Sequence, residues 1–425
     1  MKKSKFGLAQ MVLYDCIIQK NQSIDLLYEK LYLYFVAIRT GVIMHIYTGA
    51  DMAQQSNGEL SASQIRGVWH RPNSSERERN LDELKVVLDE FKEAGINLVF
   101  LETFYHGMAV YKTDLVDYHI KLEGFEYGEY PDYLSAFVAE AEKRGISVYA
   151  WVQDFYIGFR DYIRLVTEHP EWLLINQSGE IRHLTEGQGF GGYIFLDPAN
   201  EEVKDFLISI YSEILTKHPA IKGLNLDYIR YPISEFSEGT DTGYTKISML
   251  EFAKKQGIEL CENTSISDFN KIIREKGLVG AWTAHRAAYV TGFVERVHNM
   301  LEEKHTGKLI STAVFAEIGQ TYELKKQNIK VWLDSGYVDF VTPMVYFYEA
   351  DQIFESVSKM KSICGDIPCY AGLYTTYHKQ TQSELLEHID ASKRAGANGF
   401  VLFDAAKTFF EAEVDYRSVL GQLND

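Results

Sequence analysis

From residue 66 onward the chain alternates short β-rich apolar runs with amphipathic helical stretches, and eight such runs can be counted. They are RGVWH (66–70), NLVFLET (97–103), SVYAWVQ (147–153), GLNLDYI (223–229), LISTAVF (309–315), FVTPMVYF (340–347), CYAGLYT (369–375) and GFVLFDA (399–405). Helical periodicity falls between them at 81–94, 133–144, 201–217, 282–303 and 383–395. Such alternation calls for parallel strands joined by crossover helices. Gly95, Gly145 and Gly396 follow three of the helical stretches, where a residue free to turn left-handed closes a helix. An open doubly wound sheet would usually carry fewer strands and a glycine-rich first turn, and none follows strand one. The pattern predicts an α/β fold, a (β/α)8 TIM barrel over residues 61–425, with insertions after strands three and four on the C-terminal face.

Residues 1–60 read as a short helical N-terminal extension, leading through QQSNGELSASQ (54–64) into the barrel. The stretch Leu26 to Tyr47 is apolar in places, but Glu29, Lys30, Arg39 and His45 interrupt it, so a buried helix or two is expected rather than a membrane span. Met1 to Lys20 holds a lysine pair but no unbroken apolar run, and no signal peptide is read there. Asp and Glu number 60 against 43 Lys and Arg, a formal charge of −17 that repels phosphate backbones and argues against nucleic acid as a partner. The four cysteines form no CxxC pair; free buried thiols are favoured over a bridge between Cys364 and Cys369. No HxH, HExxH, GxxxxGK[ST] or strand-following GxGxxG occurs, so no metal or nucleotide cofactor is expected.

Active sites of such barrels lie at the C-terminal ends of the strands. That rule selects Glu102, Gln153, Asp154, Asp227 and Asp404, with Glu317 and Glu349 just beyond strands five and six. Glycoside hydrolysis needs a carboxylic acid to protonate the leaving oxygen and a second carboxylate as base or nucleophile. Asp227 stands out because Arg230 and Tyr231 follow it in LNLDYIRYP: the arginine would hold it ionised and the tyrosine would orient it or the sugar. The alternative is a structural Asp–Arg pair. Glu102 is the preferred partner, with Glu317, Glu349 and Asp404 in reserve. Aromatic residues cluster at the same strand ends, among them Trp69, Tyr105, Trp151, Tyr156, Tyr346 and Tyr374, and such rings stack on the apolar faces of sugars or simply fill a core. His70 and His106 complete the polar candidates, with a satisfied core histidine as the plainer reading of His70.

The strings RGVWHRP, INLVFLETFYHGMAVY, AWVQDFYIG, HPEWLL, FLDPAN, GLNLDYIRYP and TPMVYF resemble the glycosyl-hydrolase-like family 10 over about residues 64–425. The resemblance implies a TIM-barrel hydrolase, usually exported to the cell envelope, in a family some of whose members cleave peptidoglycan glycan strands stripped of their peptides. It points to Asp227 and Arg230 of DYIRYP, Glu102 and His106 of LETFYHG, and Tyr346 of PMVY as site positions. Residues and resemblance together predict a glycoside hydrolase acting on an amino-sugar-containing polysaccharide or oligosaccharide, with no obligate protein partner. Two alternatives stand beside it: a non-catalytic carbohydrate-binding barrel, favoured by the amide of Gln153 in AWVQDFY, and a barrel hydrolase using a divalent ion at clustered carboxylates.

Overall fold

A computed structural model describes residues 64–261, 263–375 and 380–423. The expected N-terminal extension, residues 1–60, lies outside the described residues. Eight parallel strands form a ring: β1 (Ile65–His70), β2 (Leu98–Tyr105), β3 (Ser147–Gln153), β4 (Gly223–Asp227), β5 (Leu309–Phe315), β6 (Phe340–Met344), β7 (Tyr370–Tyr374) and β8 (Gly399–Phe403). Each pairs with its sequence neighbour, and β1 pairs with both β2 and β8, which closes the cylinder. The expected barrel is present.

Eight helices cover it: α1 (Leu81–Glu93), α2 (Tyr133–Lys143), α3 (Glu201–Lys217), α4 (Val279–Lys304), α5 (Ile329–Asp334), α6 (Ala350–Cys364), α7 (Gln382–Arg394) and α8 (Tyr416–Gln422). Their starts are written in the sequence. Asn80, Asp132 and Asn200 accept hydrogen bonds from first-turn N–H groups of α1, α2 and α3, each worth about 1 kcal/mol relative to alanine. Thr381 and Glu384 close a reciprocal capping box on α7. Gly95, Gly145 and Gly396 take φ of 71°, 74° and 92°, as helix-closing glycines do.

Alternation along the strands sorts side chains into two layers. Trp69, Phe100, Tyr149, Trp151, Ala313, Phe340 and Val401 pack together inside the cylinder, so the barrel is filled rather than hollow. A polar knot lies among them: Asn225 accepts from Trp69 Nε1 at 3.1 Å and donates to Ser311 at 2.8 Å and Thr342 at 3.3 Å. Val68, Val99, Leu101, Leu224 and Leu226 face the helices instead.

Two local departures shape the mouth. In β2, Glu102 pairs with Trp151 and Phe104 with Val152, leaving Thr103 as the extra residue of a bulge. The bulge shifts the alternation by one, so Phe104 packs outward against Phe206 of α3 and Tyr105 takes the mouth side. In β4 the strand stops at Asp227, short of the expected residue 229, because Tyr228 turns to φ 50°.

The expected insertions are found. After β3 the chain makes a short helix, Arg164–Glu168, and a hairpin of Arg182–His183 with Tyr193–Ile194. After β4 come helices Lys246–Gln256 and Ile266–Glu275, packed on their own aromatic core of Tyr244, Phe252, Phe269 and Trp282. A third insertion, residues 106–132 after β2, was not anticipated; it brings His119 and Lys121 over the mouth. Among the described residues no helix is long and apolar enough to cross a membrane, and Cys364 and Cys369 are free and buried.

Candidate active site

Glu102 and Asp227 stand two strands apart on the inward faces of β2 and β4, with β3 between them. Neighbouring strands lie about 4.8 Å apart, so two positions flanking a central strand and pointing inward are brought to one mouth. Glu102 has no solvent-exposed surface, and Asp227 keeps 9%. Residues of β3 hold both in place. Gln153 donates its amide to Glu102 Oε1 at 2.8 Å, and Trp151 donates its indole N–H to Asp227 Oδ2 at 3.0 Å. The Tyr228 backbone N–H donates to Asp227 Oδ1 at 2.7 Å, a bond that the positive φ of Tyr228 accompanies.

The electrostatics separate the two acids. Burial pushes the Glu102 carboxyl up to about 7, against the pull of the Arg71 guanidinium and with the help of the Asp227 charge. Burial also raises Asp227, while hydrogen bonds from Tyr228 and Trp151 favour its ionised form. The Asp227 charge is thus one of the causes that hold the proton on Glu102. An uncharged acid and a charged carboxylate at one mouth are what two-carboxylate hydrolysis requires.

Arg71, one residue past β1, ties the mouth together and is the main residue that the sequence reading missed. Its Nε lies 3.4 Å from Glu102 Oε2 and its Nη1 3.3 Å from Asp404 Oδ2, while the guanidinium sits over the rings of Trp151 and Phe403 at 5.4 and 5.1 Å. Burial opposes its charge, but Glu102 and Asp404 outweigh that and hold it protonated. The clue was in RGVWHRP: an arginine directly beyond an apolar strand, where the mouth begins. Asp404 follows a cis peptide bond and caps the next turn by accepting from Lys407 N–H at 3.0 Å.

Aromatic rings wall two sides. Tyr346, Tyr374 and Phe403 lie with centroids 5.3–5.8 Å apart at the ends of β6, β7 and β8. Opposite them, Tyr156 stacks on Tyr228 at 4.4 Å, and Tyr105 stacks on His119 at 4.0 Å. His106, at φ 50°, lies between Tyr105 and Tyr156, and its backbone N–H donates to Gln153 Oε1 at 3.1 Å. Burial, then Arg71, Arg160 and Lys121, push the His106 imidazole down to about 3, so it is neutral at ordinary pH.

Several sequence-predicted site residues are placed elsewhere, for definite reasons. Alternation turns His70 outward when Trp69 points in; its Nε2 meets Glu78 at 2.9 Å and its ring stacks on Phe137 of α2. Trp69 lies 1% exposed within the filled barrel, its N–H used by Asn225. Asp154 is likewise turned outward after Gln153, sealed against the Tyr211 hydroxyl of α3 at 2.6 Å. Tyr231 is sealed beside Gly243, beneath the β4 insertion. Arg230 forms no ion pair with Asp227, although its charge still favours the ionised form of that carboxylate. Both its Nη atoms go to Glu186 of the β3 hairpin, at 2.7 and 2.9 Å, a partner too distant in sequence to foresee. Glu317 and Glu349 are exposed where their loops leave the barrel, and neither belongs to the buried acidic pair.

The profile of the family described as Glycosyl hydrolase-like 10 matches residues 64–384, three quarters of the chain and most of the barrel. The chain belongs to that family. Similar curated proteins include the glycosyl hydrolase DigH of Escherichia coli (strain K12), 23% identical over 269 residues, covering 61% of this chain and 56% of that protein. Another is an S-layer-related protein of Niallia circulans, 21% identical over 309 residues, covering 65% of this chain and 19% of that protein. The chain therefore spans little more than half, or a fifth, of the relatives that it matches. Among solved structures, the catalytic domain of a β-amylase from Paenibacillus polymyxa superposes with a TM-score of 0.57 at 11% identity, covering 86% of this chain and 98% of that one. A β-galactosidase from Marinomonas ef1 gives 0.54 at 12%, covering 84% and 58%. At such identity these two likenesses speak to the barrel fold alone.

Proposed function

We propose that this member of the glycosyl-hydrolase-like family hydrolyses glycosidic bonds in an amino-sugar-containing polysaccharide, such as peptidoglycan glycan stripped of its peptides. Glu102 is the proton donor and Asp227 the second carboxylate. The observation that carries the reading is the pairing of a buried acid titrating at about 7 with a neighbouring carboxylate whose ionised form is favoured by hydrogen bonds from Tyr228 and Trp151. In the reaction Glu102 gives its proton to the glycosidic oxygen as the bond from that oxygen to the anomeric carbon breaks. Asp227 supports the positive charge that develops on the sugar, either by attacking the anomeric carbon or by taking a proton from the water that does. In the first route water then adds hydroxide to the anomeric carbon, releasing Asp227, and gives its proton to Glu102; in the second the hydroxide goes to the anomeric carbon and the proton to Asp227, which passes it to solvent while Glu102 takes one back. Arg71 holds Glu102 and Asp404 in place, and the rings of Tyr346 and Tyr374 offer stacking faces for the sugars beside the bond.

The name of the DigH relative supports a glycosyl hydrolase, and the mouth of this barrel has both acids that such chemistry needs. The test is to incubate the purified chain with peptide-free peptidoglycan, chitin oligomers and mucin-type glycans and to count new reducing ends. Release from the first, with the anomer read by proton NMR, supports the proposal and decides between retention and inversion. Tight binding of a glycan without release would support the carbohydrate-binding alternative instead, and activity that a chelator abolishes and a divalent ion restores would support the metal-dependent one.

A further inference from the structure

One buried lysine beside the mouth makes no ion pair among the described residues. Lys325, in the short helix Ile318–Lys325 beyond β5, keeps only 5% of its surface, and its Nζ lies 3.3 Å from the ring centroid of Phe315. Among the described residues no hydrogen bond or ion pair reaches that ammonium. Nearby Arg230 sits over the same ring at 5.3 Å, but both its Nη atoms are taken by Glu186. Arg230 adds positive charge beside it, while buried Glu186 and exposed Glu317 pull the other way without bonding to the ammonium.

An isolated ammonium is costly to bury, and proteins ordinarily pair it. Here the cost is visible as a Lys325 pKa pushed down to about 7 by burial and by Arg230. The platform beneath it is partly exposed. Phe315 continues the inward series Ser311, Ala313 to the end of β5, where it is only half-buried, one strand beyond Asp227. A sugar next to the one held between Glu102 and Asp227 would pass over it.

We propose that Lys325, with Phe315 as its platform and Arg230 behind it, forms a subsite for a carboxylate carried by the substrate's sugar. This rests on the hydrolase reading for its biological meaning, though binding tests it separately. A carboxylate fits better than a neutral hydroxyl because it gives the unbonded ammonium a charged partner, and a charge-assisted hydrogen bond in a sheltered place is roughly twice as strong as a neutral one.

The experiment measures binding to the full chain carrying Glu102→Gln, so that turnover does not intervene. The ligands are a peptide-free peptidoglycan oligosaccharide, whose lactyl ethers carry carboxylates, the same oligosaccharide after chemical reduction of those carboxyls to alcohols, a hexuronate-containing oligosaccharide, and chitotetraose. The expected result is at least ten-fold tighter binding of a carboxylated ligand than of its reduced form, the better of the two carboxylated glycans identifying the sugar acid. Adding Lys325→Gln should shrink that preference to within about two-fold, and Lys325→Arg should keep most of it. Equal binding of native and reduced oligosaccharide overturns the subsite, whatever the variants do. So does a preference that persists undiminished in Lys325→Gln. Absence of hydrolysis by the wild-type chain on the same oligosaccharides, with the carboxylate preference intact, would count against the hydrolase reading and leave the subsite standing.

Discussion

Gln153 donates its side-chain amide to Glu102 at 2.8 Å and accepts the backbone N–H of His106 at 3.1 Å, so a single amide fixes both the acid and the turn beyond β2. A residue that looks like a lost acid in the sequence is a positioning group in the structure. Gln153→Glu would place a like charge against Glu102, and a carboxylate that close raises the apparent pKa of the pair. The alkaline limb of the kcat/KM profile, which reports loss of the Glu102 proton, should move upward by about one pH unit. A profile unchanged from wild type would mean that the amide does not govern that acid.

Trp151 does the corresponding work for Asp227. Trp151→Phe keeps an aromatic face for Arg71 but removes the indole donor, so the ionised form of Asp227 loses a stabilising bond worth about 1.5 kcal/mol, the low end for a hydrogen bond to a charged group. The acid limb of the same profile should rise by about one pH unit. The alkaline limb should stay near 7.

Glu102 also makes a prediction about folding. Its native pKa, about 7, lies above the unfolded value near 4.5, so the native state holds this proton more tightly. The resulting stability is fully present below about pH 4.5 and is lost as pH rises through 7, for a total of about 3 kcal/mol. Glu102→Gln removes the titration. Measured by urea denaturation, the variant should gain on wild type by about 2–3 kcal/mol between pH 5 and pH 8. A constant difference across that range would contradict the assigned burial.

His70 gives the opposite signature. Truncating it leaves Glu78 buried with one partner fewer, the Tyr133 hydroxyl at 2.6 Å remaining. His70→Ala should cost about 2–4 kcal/mol of stability, as loss of a buried polar partner does, while kcat/KM of the folded fraction changes less than about five-fold. A loss of activity without loss of stability would return His70 to the site.

These contrasts show what the sequence made legible. The eight strands, their order and the glycine stops could be read because each is set by local pattern, and the rule about strand ends selected Glu102 and Asp227, which the fold brings to one mouth. Which neighbours join them was less legible, because a period of two turns every one-residue offset into the opposite face. His70 and Asp154 fall outward by that rule, and Arg71, one residue past His70, falls inward. The bulge at Thr103 and the positive φ of Tyr228 reset the alternation in β2 and β4, and neither has a strong sequence signal. The Arg230–Glu186 pair spans 44 residues, a contact that only the folded insertion creates.

Glu102 and Asp227 are proposed to act as one catalytic pair. The most direct test compares kcat/KM of wild type, Glu102→Gln and Asp227→Asn on the best-cleaved glycan at pH 6, with circular dichroism confirming that each variant is folded. Loss of either carboxylate should lower kcat/KM by about 10³-fold or more, roughly the 4 kcal/mol that such a group supplies to a transition state. If either folded variant cleaves at a rate within a few-fold of wild type, that residue does not carry the reaction and the account of this mouth is wrong.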